Sequence, residues 1–327
     1  LPEGQFKRSF AVPGVALAAK GTARTLGDRE VFSARYTPRP KTDCNSYSHF
    51  YFEVTFLYFC DIHTHSLLSP DSDAPLADMA RRAVALVLDE LCVTDHCDLV
   101  DGSGRPVNSF NWPAAKEQFR RVQAQVGSRL NLRLGLELGS AVYDPDLARR
   151  ILERGAPELD FVLGSLHNWL GERDNIDLYY TDYTGDLPLA RHCVEHCLDH
   201  TWTLVTECPD CYDSLAHIIY PLRYIQRDGL SLTLDGYEEQ VRAIFTQVAR
   251  TGHALEVNTC RGRNLAEWLP LLRWFQECGG EYVTLGSDAH RPQDLAKGVQ
   301  EAAGLLEAAG FRYVTTYEKR RPVPHLL

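Results

Sequence analysis

Short apolar runs alternate along this chain with longer stretches in which apolar residues recur at helical spacing. The runs Phe56 to Phe59, Leu91 to Val93, Leu132 to Leu136, Phe161 to Leu163, Tyr282 to Leu285 and the weaker Tyr212 to Leu215 read as buried strands. Between most of them lie amphipathic stretches long enough for a helix: Ala77 to Leu88, Trp112 to Val126, Tyr237 to Ala249 and Leu265 to Glu277. Repeated strand-then-helix units predict a parallel sheet, and this many of them predict a (β/α) barrel.

Polar residues gather where these runs end. Cys60-Asp61-Ile62-His63-Thr64-His65-Ser66 follows the first run and carries two histidines one residue apart. Val93-Thr94-Asp95-His96, Gly135-Leu136-Glu137, Gly164-Ser165-Leu166-His167, Ser214-Leu215-Ala216-His217 and Gly286-Ser287-Asp288-Ala289-His290 repeat the arrangement. Six of the twelve histidines sit in these segments, and the carboxylates Glu137 and Asp288 occupy matching positions. In a barrel the carboxyl ends of the strands converge on one face, so these groups would meet after folding. Collecting so many ionisable groups in a buried place leaves unpaired polar atoms unless cations are shared among them. Imidazole and carboxylate together are the donor set of hydrolytic divalent metals.

With those motifs, the stretch from Leu57 to Lys319 resembles the polymerase and histidinol phosphatase (PHP) superfamily of metal-dependent phosphoesterases. The resemblance implies a distorted seven-stranded (β/α) barrel holding up to three divalent ions (Mn, Fe or Zn). It implies that His63, His65, Glu137 and Asp288 hold the first, that Glu137 bridges to a second held by His167 and His217, and that His96 and His290 hold the third. One further ligand is implied on the loop after the first histidine pair, where Asp71 fits better by its distance from His65 and Asp73 is the alternative. Either aspartate is equally a turn or cap residue before a helix starting near Leu76.

Within that superfamily the chain is most similar to the histidinol-phosphatase branch. His217-Ile218-Ile219-Tyr220-Pro221-Leu222-Arg223-Tyr224 and Leu255-Glu256-Val257-Asn258-Thr259 leading to Arg263 carry this likeness, as does the ending Gly310 to Lys319. Arg223 and Arg263 resemble phosphate-binding groups, a role that suits a guanidinium fork charged at any working pH. Because Thr259-Cys260-Arg261-Gly262-Arg263 holds two arginines, Arg261 remains an alternative to Arg263. The implied reaction is hydrolysis of L-histidinol phosphate, in the course of histidine biosynthesis, by a metal-activated hydroxide attacking phosphorus in line. Asp288 would double as ligand and proton carrier, and Asp95 is a candidate partner for an imidazole N–H. Two alternatives stay open: a phosphoesterase for phosphotyrosine proteins or nucleotides, and a non-catalytic metal-binding module.

Composition narrows the partner. Against 44 acidic side chains stand 34 basic ones, a net charge of −10, which speaks against the broad basic footprint of a nucleic-acid binder and for a small phosphomonoester. No apolar run is long enough to span a bilayer. Ten cysteines and a start, Leu1-Pro2-Glu3, without a charged-then-apolar signal lead to the expectation of a reducing cytoplasm. The missing initiator Met is consistent with a fragment or an upstream extension. Oligomeric state is not legible. Residues 1–56, rich in Pro, Arg, Gly and Ser, read as an irregular extension, with Phe50 to Phe56 able to lengthen the first strand, and residues 57–327 as the barrel. A competing site is His192, Cys193, His196, Cys197 and His200 at helical spacing, followed by Cys208-Pro209-Asp210-Cys211. This could be structural zinc; the ordinary alternative is a helix with scattered polar residues and a turn.

Overall fold

The computed structural model describes residues 10–12, 15–17, 58–263 and 265–327 and separates a unit of residues 1–56 from one of residues 57–327. In the first unit, β1 (Phe10–Val12) and β2 (Val15–Leu17) pair antiparallel, Phe10 opposite Leu17. The remainder of the expected extension, and the lengthening of the first strand by residues 50–56, lie outside the described residues.

The second unit is built on β3 (Cys60–Thr64), β4 (Glu90–Val93), β5 (His96–Asp98), β6 (Asn131–Gly139), β7 (Phe161–Ser165), β8 (Ser214–Leu215), β9 (Ala254–Asn258) and β10 (Val283–Gly286). They form one parallel sheet in the order β10-β9-β8-β7-β6-β4-β3, and β5 also pairs with β6. The two edges approach each other through a parallel bridge between Thr64 and Ala289, with Asp288 N–H donating to His63 O and His65 N–H to Ala289 O, both at 2.9 Å. The sheet is thereby nearly closed into a seven-stranded barrel, as the alternation of runs predicts.

Strands β3, β4, β7, β9 and β10 are buried at every position. Sheets covered on both faces lose the polar–apolar alternation of half-exposed strands, so a polar residue inside one is held there by partners. The first barrel strand shows the consequence: among the described residues it is Cys60–Thr64, with Asp61 and His63 inside it, and Tyr58 and Phe59 of the expected run precede it. Asp61 stays buried because Ser287 N–H (2.9 Å), Ser287 Oγ (2.5 Å) and Ala296 N–H (2.8 Å) all donate to its carboxylate.

Helices α1 (Leu76–Ala85), α2 (Trp112–Val126), α3 (Pro145–Gly155), α4 (Leu187–Glu207), α5 (Tyr220–Arg227), α6 (Glu238–Arg250), α7 (Trp268–Glu277) and α8 (Val299–Ala309) connect the strands. Helix α2 has the expected bounds; it buries Trp112, Ala115, Phe119, Val122 and Val126, one face at helical spacing, and the Asn111 side chain caps Ala114 N–H at 3.2 Å. Helix α1 ends earlier than its apolar pattern, because the chain turns at Val87 with φ 59°. After α8, β11 (Tyr313–Glu318) and β12 (Arg321–Leu326) form an antiparallel hairpin. Tyr317 stacks on Phe161, and Arg320 pairs with the buried Asp213 at 3.0 Å, so this hairpin lies against the amino-terminal ends of β7 and β8. No helix among the described residues is long and apolar enough to cross a membrane.

Candidate metal centre

The opposite end of the barrel, where the strands finish, gathers the polar residues. His63 lies in β3 and His65 just beyond it; His96 opens β5, and Glu137 faces it across the pairing with β6. His167 and His217 follow β7 and β8 by two residues, Asp288 and His290 follow β10, and Asp71 comes from the loop before α1. All nine side chains meet. His63, His65, Glu137, His167, His217 and Asp288 are buried, His96 and His290 half-buried, and Asp71 is on the exposed side. Asp288 adopts φ 59°, a left-handed conformation that aspartate tolerates better than most side chains.

Glu137 stands in the middle. Its Oε2 lies 3.2 Å from His63 Nε2, 3.5 Å from His65 Nε2 and 3.0 Å from His96 Nδ1. Its Oε1 lies 3.1 Å from His167 Nε2 and 2.8 Å from His217 Nε2. Asp288 Oδ1 is 3.4 Å from His65 Nε2 and 3.8 Å from His63 Nε2. On the outer side Asp71 Oδ2 is 2.9 Å from His290 Nε2 and 3.6 Å from His96 Nε2. Asp73 is exposed.

The donor set fits metal ions. His63 Nε2 and His65 Nε2 face each other at 3.1 Å, and His167 Nε2 and His217 Nε2 at 3.4 Å. Two imidazole lone pairs at that range repel unless a proton or cation lies between them. Ligands about 2.0–2.1 Å from a tetrahedral ion are roughly 3.3 Å from one another, the spacing found here. Four overlapping triplets share this property: His63, His65 and Asp288; His63, Glu137 and His217; His96, Glu137 and His167; and His65, His96 and His290.

Charge prepares the same atoms. Burial alone would raise Glu137, but the imidazoles of His96, His63 and His167 hold its carboxyl well below the usual range. Asp288 is likewise held low against burial, by His63, His65 and Arg223. Burial lowers His65 far below an ordinary histidine, assisted by His290 and His96, so its ring is neutral and its lone pair free to donate. Burial would lower His63, His96 and His167, but the carboxylates of Glu256, Glu137 and Asp98 raise them, so these rings hold protons that a divalent ion would displace.

A second circle of residues orients the first, and the sequence did not single it out. Glu256, buried in β9, places Oε1 2.5 Å from His63 Nδ1 and accepts the His217 backbone N–H on Oε2 at 2.8 Å. Asp98 Oδ1 lies 2.7 Å from His167 Nδ1. Each carboxylate favours the tautomer that leaves Nε2 free to face the cluster. Asp95, the expected imidazole partner, reaches one only indirectly: it accepts from Ser66 and Ser69, and Ser69 Oγ is 3.1 Å from His65 Nδ1. Gly286 is required at its position, since a Cβ there would collide with His63 and come within 2.8 Å of Glu256 Oε1.

The cluster opens into a cavity of about 770 Å³ that is also lined by Tyr179, Tyr220, Tyr224 and the arginines 223, 227, 261, 263 and 291. Arg223 and Arg263 therefore both reach it, and so does Arg261. The alternative zinc site does not assemble. His192 Nε2 pairs with Glu172 at 2.7 Å, His196 packs on Trp169, and Cys193 turns to the Tyr183 hydroxyl at 3.1 Å. On a helix with one face in the core, the cysteines and histidines point to different surroundings.

Comparison with known proteins agrees with this geometry. The PHP domain family matches residues 61–260. Histidinol-phosphatase of Lactococcus lactis is 27% identical over 263 residues, 79% of this chain and 93% of that protein. A Thermotoga maritima protein named probable histidinol-phosphatase is 27% identical over 273 residues, 80% and 96% of the two chains. The crystal structure of histidinol phosphate phosphatase from Lactococcus lactis, complexed with zinc, L-histidinol and phosphate, superposes with a TM-score of 0.68 at 25% identity, covering 81% of this chain and 99% of that one.

Proposed function

The chain belongs to the PHP domain family, and from that premise we propose that it is a metal-dependent phosphomonoesterase that hydrolyses L-histidinol phosphate to L-histidinol and phosphate. The observation that carries this reading is Glu137, whose two carboxylate oxygens face two separate sets of imidazoles at 2.8–3.5 Å beside an arginine-lined cavity. Relatives named histidinol-phosphatase or probable histidinol-phosphatase and matched over 93% and 96% of their own length, and a superposable structure holding zinc, L-histidinol and phosphate, support it.

His63, His65, Glu137 and Asp288 would hold one ion, Glu137, His167 and His217 a second, and His96, His290 and Asp71 a third, with Mn, Fe and Zn all compatible with such ligands. Ions of this class lower the pKa of bound water and neutralise charge on phosphoryl oxygens. The chain supplies the rest. Arg223 is fixed by Nη1 donating to Asp288 Oδ2 at 2.9 Å and Nη2 donating to Asn258 Oδ1 at 2.6 Å, so it meets the phosphoryl group already oriented. Arg263 is the other proposed phosphate contact. Asp288 touches both the histidine pair and Arg223, and is placed to carry the proton that must reach the departing alkoxide as water cleaves the P–O bond. The cavity, open on one side and with polar walls, suits a small molecule.

The test is phosphate release from L-histidinol phosphate, set beside a phosphotyrosine peptide and a nucleoside monophosphate. The protein is stripped with chelator and reloaded separately with Mn²⁺, Fe²⁺ or Zn²⁺. Histidinol phosphate should be turned over fastest, and His63→Ala should lose metal and activity together. Preference for another substrate would reassign the reaction, and no release with any metal would leave only a binding module.

A further inference from the structure

From Ser66 to Ser72 the loop that carries Asp71 buries every third residue. Ser66, Ser69 and Ser72 are buried, whereas Leu67, Pro70, Asp71 and Asp73 are exposed. Tight turns impose the spacing, with Ser69 N–H donating to Ser66 O at 2.9 Å and Ser72 N–H to Ser69 O at 3.3 Å. Each buried hydroxyl then meets a different part of the site. Ser72 Oγ donates to His290 O at 3.0 Å, and Ser66 Oγ to Asp95 Oδ2 at 2.7 Å. Ser69 Oγ sits at a junction, 2.8 Å from Asp95 Oδ1, 3.0 Å from the His96 backbone N and 3.1 Å from His65 Nδ1.

The direction of those three contacts is decided by counting protons. A serine hydroxyl has one proton to give and two lone pairs. The His96 N–H can only donate, so it takes one lone pair. Asp95 accepts on both oxygens, its Oδ1 also receiving the Ser66 N–H at 2.5 Å, and so it claims the Ser69 proton. What remains is one lone pair facing His65 Nδ1, and that contact is made only when Nδ1 carries the ring proton. If Ser69 turned its proton to His65 instead, an oxygen lone pair would face a carboxylate oxygen at 2.8 Å among groups that are all buried. With the proton on Nδ1, the lone pair of His65 lies on Nε2, the atom 3.1 Å from His63 Nε2 inside the cluster.

We infer that Ser69 is a positioning residue of the metal centre: oriented by Asp95, its hydroxyl fixes the His65 tautomer and at the same time ties the backbone of His96. One oxygen thus couples a ligand proposed for the first ion to a ligand proposed for the third, whose rings stack at 4.3 Å. The inference rests on the reading of this cluster as a metal centre and deepens it.

The experiment uses the zinc-loaded full chain with ¹⁵N-labelled histidine. The His65 Nδ1–H signal, assigned by its disappearance in His65→Gln, is followed for exchange with solvent, and zinc affinity is measured by competition with a fluorescent chelator. The parent should show a protected Nδ1–H. Ser69→Ala should lose that protection and bind zinc about tenfold more weakly, whereas Ser69→Thr, which keeps the hydroxyl, should retain both properties. Ser72→Ala loosens the same loop without touching the ring and should leave the signal protected. Protection and zinc affinity unchanged in Ser69→Ala, equal losses in Ser69→Thr, or loss of the signal in Ser72→Ala would each overturn the assignment, the last two by showing that side-chain space or loop order is what counts. Turnover does not enter. A parent that holds zinc with a protected Nδ1–H yet releases no phosphate would sink the proposed reaction and leave Ser69 in its role, and an unprotected Nδ1–H in an active parent would do the reverse.

Discussion

Replacing Glu256 by glutamine removes one charge and one acceptor from a side chain that is 1% exposed. Three donors converge on it. His63 Nδ1 lies 2.5 Å from Oε1, Asn258 Nδ2 donates to Oε1 at 3.2 Å, and the His217 backbone N–H donates to Oε2 at 2.8 Å. A carboxylate accepts from all of them, whereas an amide has one oxygen and must turn its NH₂ toward either His63 or His217. If it faces His63, the ring is driven to the tautomer with its proton on Nε2, the nitrogen aimed at His65 and Glu137. If it faces His217, the backbone delivering that histidine loses its acceptor. A charge-assisted hydrogen bond is worth about 1.5–3 kcal/mol, and about 1.4 kcal/mol is a factor of ten, so metal affinity should fall roughly 10- to 100-fold. Competition against a fluorescent chelator measures it, with a thermal melt of the chelated protein to confirm the fold. Affinity within about threefold of the parent would refute the claim that Glu256 sets the His63 tautomer.

The loop ligand is decided by a pair of variants: Asp71→Asn should lower the number of bound ions per chain, since Asp71 Oδ2 lies 2.9 Å from His290 Nε2, while Asp73→Asn should not. The reverse result would move the role to Asp73. At the other end of the barrel, burial pushes Asp213 up to about 6 from 3.8, with Arg320 opposing the shift. A carboxyl raised in the folded state favours folding when protonated, so this group's contribution is lost as pH rises through that window. Arg320→Ala should raise Asp213 further, so the Tm gap to the parent should be wider at pH 8 than at pH 5, by about 2–4 °C for each kcal/mol. An equal gap at both pH values would show that the pair contributes nothing through charge.

The residues that meet at the barrel mouth were legible because a barrel puts strand ends on one face, so His63, His65, His96, Glu137, His167, His217, Asp288 and His290 stand out by position in the sequence. Glu256 and Asp98 were not, and the reason is physical. Glu256 lies within β9, where two-sided burial erases the alternation that would mark a polar residue as unusual, and Asp98 ends the three-residue β5, too short to show a pattern. The same burial hid the true first strand, since Asp61 and His63 look unlike strand interior until Ser287, Ala296 and Glu256 are seen to satisfy them. Helix α2 was read to the residue because half of it faces solvent and its pattern survives. The cysteines and histidines of α4 left a zinc site open as an alternative because spacing along a helix says nothing about which neighbours the helix is pressed against.

Glu137 gives each oxygen to a different group of histidines. Substitutions on the two sides are therefore bound to show epistasis. Once His63 is gone, the carboxylate is free to swing toward His167 and His217, and the harm done by a later change at either of those will not equal the harm it does alone. Evolution can retune one half of this barrel mouth only by renegotiating the other.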